Sequence, residues 1–126
     1  MTREDLIAGK RWPDAVVREA AFPIDIHNPA GSGQAEGQVH GAQGVAASVK
    51  PYEIPYGCLV PQDTDGLLLA GRCISGSHDA HASYRVQCIA MAIGAAAGAA
   101  AAIAAQQHTS PAAIEVRAVQ KQLAAP

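Results

Sequence analysis

The residues able to do chemistry are concentrated in "GRCISGSHDAHASYRV", residues 71–86, which holds two arginines, two histidines, an aspartate and a cysteine. His78, Asp79 and His81 could begin a metal site, but zinc needs a third and fourth ligand and no matching Cys or His pair stands nearby, so no metal is expected. His81 stands just ahead of a long apolar stretch. There an imidazole titrating near neutrality could pass a proton to or from a substrate, or simply bond to loop backbone. His27, on the polar side of "IDIHN", is a second candidate acid or base against an ordinary surface histidine. Arg85 enters the same stretch, where a helix dipole disfavours a cation unless an anion or a carbonyl-rich group faces it. Arg72 follows a glycine and reads as either a ligand contact or a solvated side chain.

The elements that must position these groups are legible in outline. Residues 2–8 read as a short helix with Thr2 as cap, Asp5 completing a capping box and Gly9 ending it. Pro13 opens a second helical turn in "PDAVVREA". "FPIDIHN" alternates as a strand, with Ile24 and Ile26 on one face. "PAGSGQAEGQVHGAQGVAA" has no period and is expected to be the mobile part of the chain. "KPYEIPYGCLVP" carries internal prolines and is at best an edge strand. In "TDGLLLAGRCISG", Asp65 and Gly66 turn the chain into Leu67–Ala70, a continuous apolar run expected of a strand covered on both faces. A polar loop follows, then a long helix from about Ser83. In "SPAAIEVRAVQKQL", Ser110 caps and Pro111 opens a last helix striped by Val116, Val119 and Leu123.

The long helix raises the question of a membrane. Ile89–Ala105 has no charge, but eleven of its seventeen residues are Ala and two are Gly, leaving few of the Ile, Leu, Phe and Val side chains that drive insertion. A helix buried in a protein is the expected reading, with small residues at 94, 98, 101, 102 and 105 letting backbone approach. The chain has 126 residues and a formal charge of −2, with no basic run, so nucleic acid is not expected as a partner. Aromatics make up 4 %, so the core must come largely from Ala, Val, Ile and Leu, which is thin for a domain standing alone. Cys58, Cys73 and Cys88 are odd in number and form no C-x-x-C, so three reduced, mostly buried thiols are expected, in a cytoplasmic protein. "MTREDLIAGKRW" lacks the apolar run of a secretion signal.

"YEIPYGCLVP", "GLLLAGRCIS", "HDAHASYRV" and "MAIGAAAGAAAA", in this order, resemble the C-terminal portion of a family of FAD-dependent oxidoreductases with a glutathione-reductase-like Rossmann fold. "LIAGKRWPDAV", "FPIDIHNP" and "IEVRAVQKQL" are also similar to it, so the likeness covers nearly the whole chain outside residues 31–49. The sequence departs from the family's pattern at Gly57, where an arginine is common, at Gly66, where an asparagine is, and at Gln87–Cys88, which replace a Met-Pro pair.

The resemblance implies FAD as cofactor and an α/β fold, the C-terminal piece of a Rossmann-type FAD-binding domain. Residues 1–50 would be a connecting, substrate-side segment with its glycine-rich loop, and 51–126 would belong to the FAD-binding domain. It also implies that Gly71, Arg72, Cys73, Ser83, Arg85 and Val86 lie against the cofactor, with the long helix's N-terminus aimed at the flavin and His81 and His27 near a small organic substrate. No G-x-G-x-x-G opens a helix after a strand, so the pyrophosphate cradle is expected in an N-terminal FAD-binding region or subunit outside this chain, and the chain alone is expected to be inactive. Other readings are a non-catalytic subunit or interaction module completing an FAD site in trans, and a small membrane-associated protein.

Overall fold

Thr2 forms the capping box that its sequence context predicts: its hydroxyl accepts from the Asp5 amide while the Asp5 carboxylate accepts from the Thr2 amide. Helix α1 (Arg3–Ala8) then ends on Gly9 in the left-handed conformation. The computed structural model describes residues 1–26 and 49–124; His27 and the glycine-rich segment 29–47 lie outside the described residues.

After α1 the chain departs from the helical turn expected at Pro13. Ala15–Ala20 is strand β1, antiparallel to β2 (Tyr52–Pro55), with Ala15 opposite Pro55, Val17 opposite Ile54 and Ala20 opposite Tyr52. The β-branched Val16 and Val17 are both buried, and a pleated partner outweighs the local helical signal of the proline. The edge strand expected in "YEIP" is present as β2. Irregular pairing bends β1 near Glu19, at φ 54°, and Arg11 pairs with Glu19 and with Glu53. No strand forms within residues 21–26, although Ile24 is buried as its alternation suggested.

Leu67–Ala70 is the larger correction. Among the described residues it joins no sheet, and Leu67 is 46 % exposed. The Leu69 amide donates to the Leu59 carbonyl at 2.7 Å, and Leu68 and Leu69 are only partly buried against the core. A strand apolar on both faces needs a layer on each, and the described residues supply too little to cover it.

The polar loop expected before the long helix is itself a short helix, α2 (His78–Tyr84), capped by the Ser77 hydroxyl. The chain breaks at Arg85–Val86 and resumes as α3 (Gln87–Gln107), so the single helix predicted from Ser83 is two. By length and composition α3 could cross a membrane. One face, carrying Ile89, Ile93, Ala96, Ala100 and Ala104, is buried in the core with Leu6, Ile54, Leu59 and Val119. Met91, Ala92, Gly94, Ala95 and Gly98 face outward, and a Cβ built on either glycine meets nothing within 4 Å. Pro111 opens a 3-10 turn rather than the last helix. Helix α4 (Val116–Leu123) begins after Glu115, buries Val119, and is tied to β1 by Gln120, whose amide donates to the carbonyls of Pro13 and Ala15. Helices around a two-stranded sheet are consistent with part of an α/β domain.

Candidate functional site

The break at Arg85–Val86 fixes the site. Arg85 ends α2, its amide donating to the His81 carbonyl, and Val86 begins α3 in an extended conformation with no capping side chain. The amides of Gln87, Cys88 and Ile89 therefore have no intrahelical acceptor, at the positive end of a 21-residue helix. The turn Gly71–Cys73 packs against α3 at this end. Gly71 has φ +59°, a conformation that strains other residues, and a Cβ built on it would touch the Cβ of Ala90 at 3.9 Å. Thus Gly71, Arg72, Cys73 and Val86, named from the sequence, belong to two segments that the fold brings together. Arg72 and Cys73 are exposed, as is Cys88 in the first turn of α3. Two of the three thiols expected to be mostly buried are thus on the surface. Only Cys58 is buried, and burial pushes its thiol above the ordinary range.

His81 and Arg85 lie elsewhere on the same connection. Residues 78, 81, 82 and 85 fall on one side of α2 and its end, and with Asp25 and Ile26 they line a cleft of about 200 Å³. The Arg85 guanidinium donates through one nitrogen, Nη2, to the backbone carbonyl and to the carboxylate of Asp25, both at 3.2 Å. That pair supplies the anion and the carbonyl that the helix-dipole argument demanded for Arg85. The His81 ring meets Tyr84 edge-on at 5.4 Å between centroids. His78 is exposed, its Nδ1 3.7 Å from Asp79, whose carboxylate is also 3.6 Å from Arg3. Among the described residues no three His, Cys, Asp or Glu side chains gather as a metal set.

Ser83 is placed differently from the rest. It is fully buried, its hydroxyl bonded to Tyr52 Oη at 2.9 Å and to the Phe22 carbonyl, where it joins β2, α2 and the segment after β1. Tyr84, also buried, donates to the Ile74 carbonyl at 3.2 Å, and burial pushes its phenol up to about 12. These two side chains hold α2 in place beneath the cleft. Sequence reasoning missed Asp25 as Arg85's partner. Its only signal was its place on the polar side of "IDIHN".

The donor set at α3 fits one end of a flavin: free amides, a positive dipole and a close-packed glycine turn suit an electron-rich ring edge. It does not extend to a pyrophosphate cradle among the described residues, whose only sheet is the antiparallel β1–β2 pair. A family model described as FAD dependent oxidoreductase matches residues 1–123. No curated protein and no solved structure matches the chain.

Proposed function

The chain belongs to the FAD dependent oxidoreductase family, whose cofactor is FAD, and from that premise we propose that it forms the flavin-edge and substrate side of the active site. The observation that carries the reading is the uncapped first turn of α3 with the Gly71–Cys73 turn packed against it. Bound there, FAD would take up two electrons from a small organic substrate. The amides of residues 87–89 would hold the pyrimidine edge and favour charge gathering on it. Gly71, Arg72 and Val86 would flank that edge, with Cys73 beside them. His81, in the adjoining cleft, would hold or release a proton at a ring nitrogen as the substrate changes charge. Arg85 would orient the substrate, while Ser83 keeps α2 in position rather than touching cofactor.

The pyrophosphate and adenosine would be held by a Rossmann region or subunit of the G-x-G-x-x-G type, packed over Leu67–Leu69 and the outer face of α3. On this reading the 126 residues alone bind FAD weakly and are inactive, and the assembled protein is cytoplasmic.

The cysteines supply a test that needs no substitution. In the protein carrying FAD, maleimide labelling of Cys73 and Cys88, read by peptide mass spectrometry, should slow at least several-fold relative to the flavin-free protein, with Cys58 slow in both. Equal labelling of Cys73 and Cys88 with and without FAD would remove the flavin from this end of α3.

A further inference from the structure

His81 lines the cleft without a hydrogen bond to hold its ring. Its backbone is fixed in α2, the amide donating to the Ser77 carbonyl and the carbonyl accepting from the Arg85 amide. Among the described residues neither ring nitrogen has a hydrogen-bond partner, and the ring's aromatic neighbour is Tyr84. An imidazole that works on a proton is usually oriented by a bond to its second nitrogen. Here that task falls to packing.

Residues three apart on a helix are neighbours, and the two rings meet edge-on, with 5.4 Å between centroids and 86° between planes. Such a pair favours its own geometry by about two- to tenfold. The preference fixes His81 only if Tyr84 is itself immobile. Tyr84 is 1 % exposed, and its hydroxyl donates to the Ile74 carbonyl at 3.2 Å. The chain at Gly76 closes over the phenol so tightly that a Cβ there would fall 2.7 Å from the hydroxyl. Ile74 is buried in turn, and the next amide, that of Ser75, donates to the Cys58 carbonyl at 2.9 Å. His78, His81, Ala82 and Arg85 line the cleft, whereas Tyr84 stands behind the imidazole in the core. His78, one turn earlier on the same lining, has a side chain 80 % exposed and no aromatic contact among the described residues.

We infer that Tyr84 is a positioning residue for His81: its locked ring keeps the imidazole in one side-chain orientation, with neither nitrogen engaged by the protein. The use of that orientation rests on the proposed role of His81 as a proton carrier; the orientation itself does not. A proton passes only when the nitrogen lies within hydrogen-bond reach of its partner, so a ring spread over several rotamers would be in place for a fraction of the time.

The test uses the full chain without flavin, with its histidine side chains followed by NMR. The Hα–Hβ couplings of His81 should report one χ1 rotamer, and its ring protons should show cross-relaxation with the Tyr84 ring. The couplings of exposed His78 should be averaged. Tyr84→Phe, which keeps the ring and loses the hydroxyl bond, should retain both signatures. Tyr84→Leu, which fills the core without an aromatic face, should lower the excess of the dominant His81 rotamer about two- to tenfold, with methyl spectra showing the fold retained. Averaged His81 couplings in the parent, averaging in Tyr84→Phe as complete as in His78, or an unchanged rotamer in Tyr84→Leu would each overturn the inference. Should Tyr84→Leu fail to fold, the parent and Tyr84→Phe decide. Cysteine protection by FAD beside averaged His81 couplings removes only the positioning. Equal cysteine labelling with and without FAD beside a fixed His81 removes only the flavin placement.

Discussion

Gly76→Ala probes how α2 is held beneath the cleft. A Cβ at residue 76 would lie 2.7 Å from the Tyr84 hydroxyl, 2.9 Å from Cε1 and 3.2 Å from Cζ. Tyr84 cannot swing aside cheaply, because it is buried and its hydroxyl donates to the Ile74 carbonyl. Overpacking a core by one methyl costs about 1–3 kcal/mol. Displacing the phenol also leaves a buried carbonyl unpaired, at about 1 kcal/mol or more. The expected loss is therefore about 2–4 kcal/mol, or roughly 10–20 °C in Tm for a domain of this size. Because the loop at 76 leads directly into His78–Tyr84, the cleft should be disturbed with it. Urea unfolding by circular dichroism measures the loss. Gly57→Ala, where a Cβ meets nothing within 4 Å, is the control. Tyr84→Phe should cost about 1 kcal/mol alone and should couple to Gly76→Ala in a double-mutant cycle. A Gly76→Ala protein within about 0.5 kcal/mol of its parent would refute the reasoning, since a rigid, bonded phenol would then not be the neighbour of residue 76.

Gly94→Ala and Gly98→Ala should each stabilise the chain by up to about 1 kcal/mol, since both sit mid-helix facing open space; thermal melts check this, and weaker assembly with an FAD-binding region in the same variants would mark the face as packed there. Ser83→Ala should cost about 1–3 kcal/mol by urea unfolding, because it strands the Tyr52 hydroxyl and the Phe22 carbonyl in the core. Burial raises the Asp5 carboxyl, but hydrogen bonds from Lys10 and the Thr2 amide outweigh it and leave the group below its ordinary value of 3.8. Its contribution to stability is thus complete above that value and is lost as pH falls through the lowered one. Amide exchange in α1 should accelerate in that acid range, and Asp5→Asn should abolish the pH dependence.

What the sequence determined by itself was local or compositional. The Thr2–Asp5 box, the capping hydroxyl of Ser110 and the unbroken apolar content of α3 depend on neighbours within a few residues, and all three are present, although the element that Ser110 caps is a 3-10 turn and not the last helix. The resemblance carried by "GLLLAGRCIS" and "MAIGAAAGAAAA" led to the family whose model matches residues 1–123. It also named Gly71 and Val86, which the fold brings to one end of α3.

Tertiary structure decided whatever depended on a distant partner. Val16 and Val17 are strand because β2 lies opposite them, which the proline at 13 could not announce. Leu67–Ala70, apolar throughout, stays outside any sheet among the described residues, because hydrophobicity alone does not supply a second layer. Ser83 and Arg85, two residues apart, diverge: a helix turns about 100° per residue, so one hydroxyl meets Tyr52 in the core while the guanidinium reaches Asp25 at the cleft. Side-chain type is fixed along the chain, but the partner that gives it a role is chosen across the fold. For Arg85 that partner stands 60 residues away.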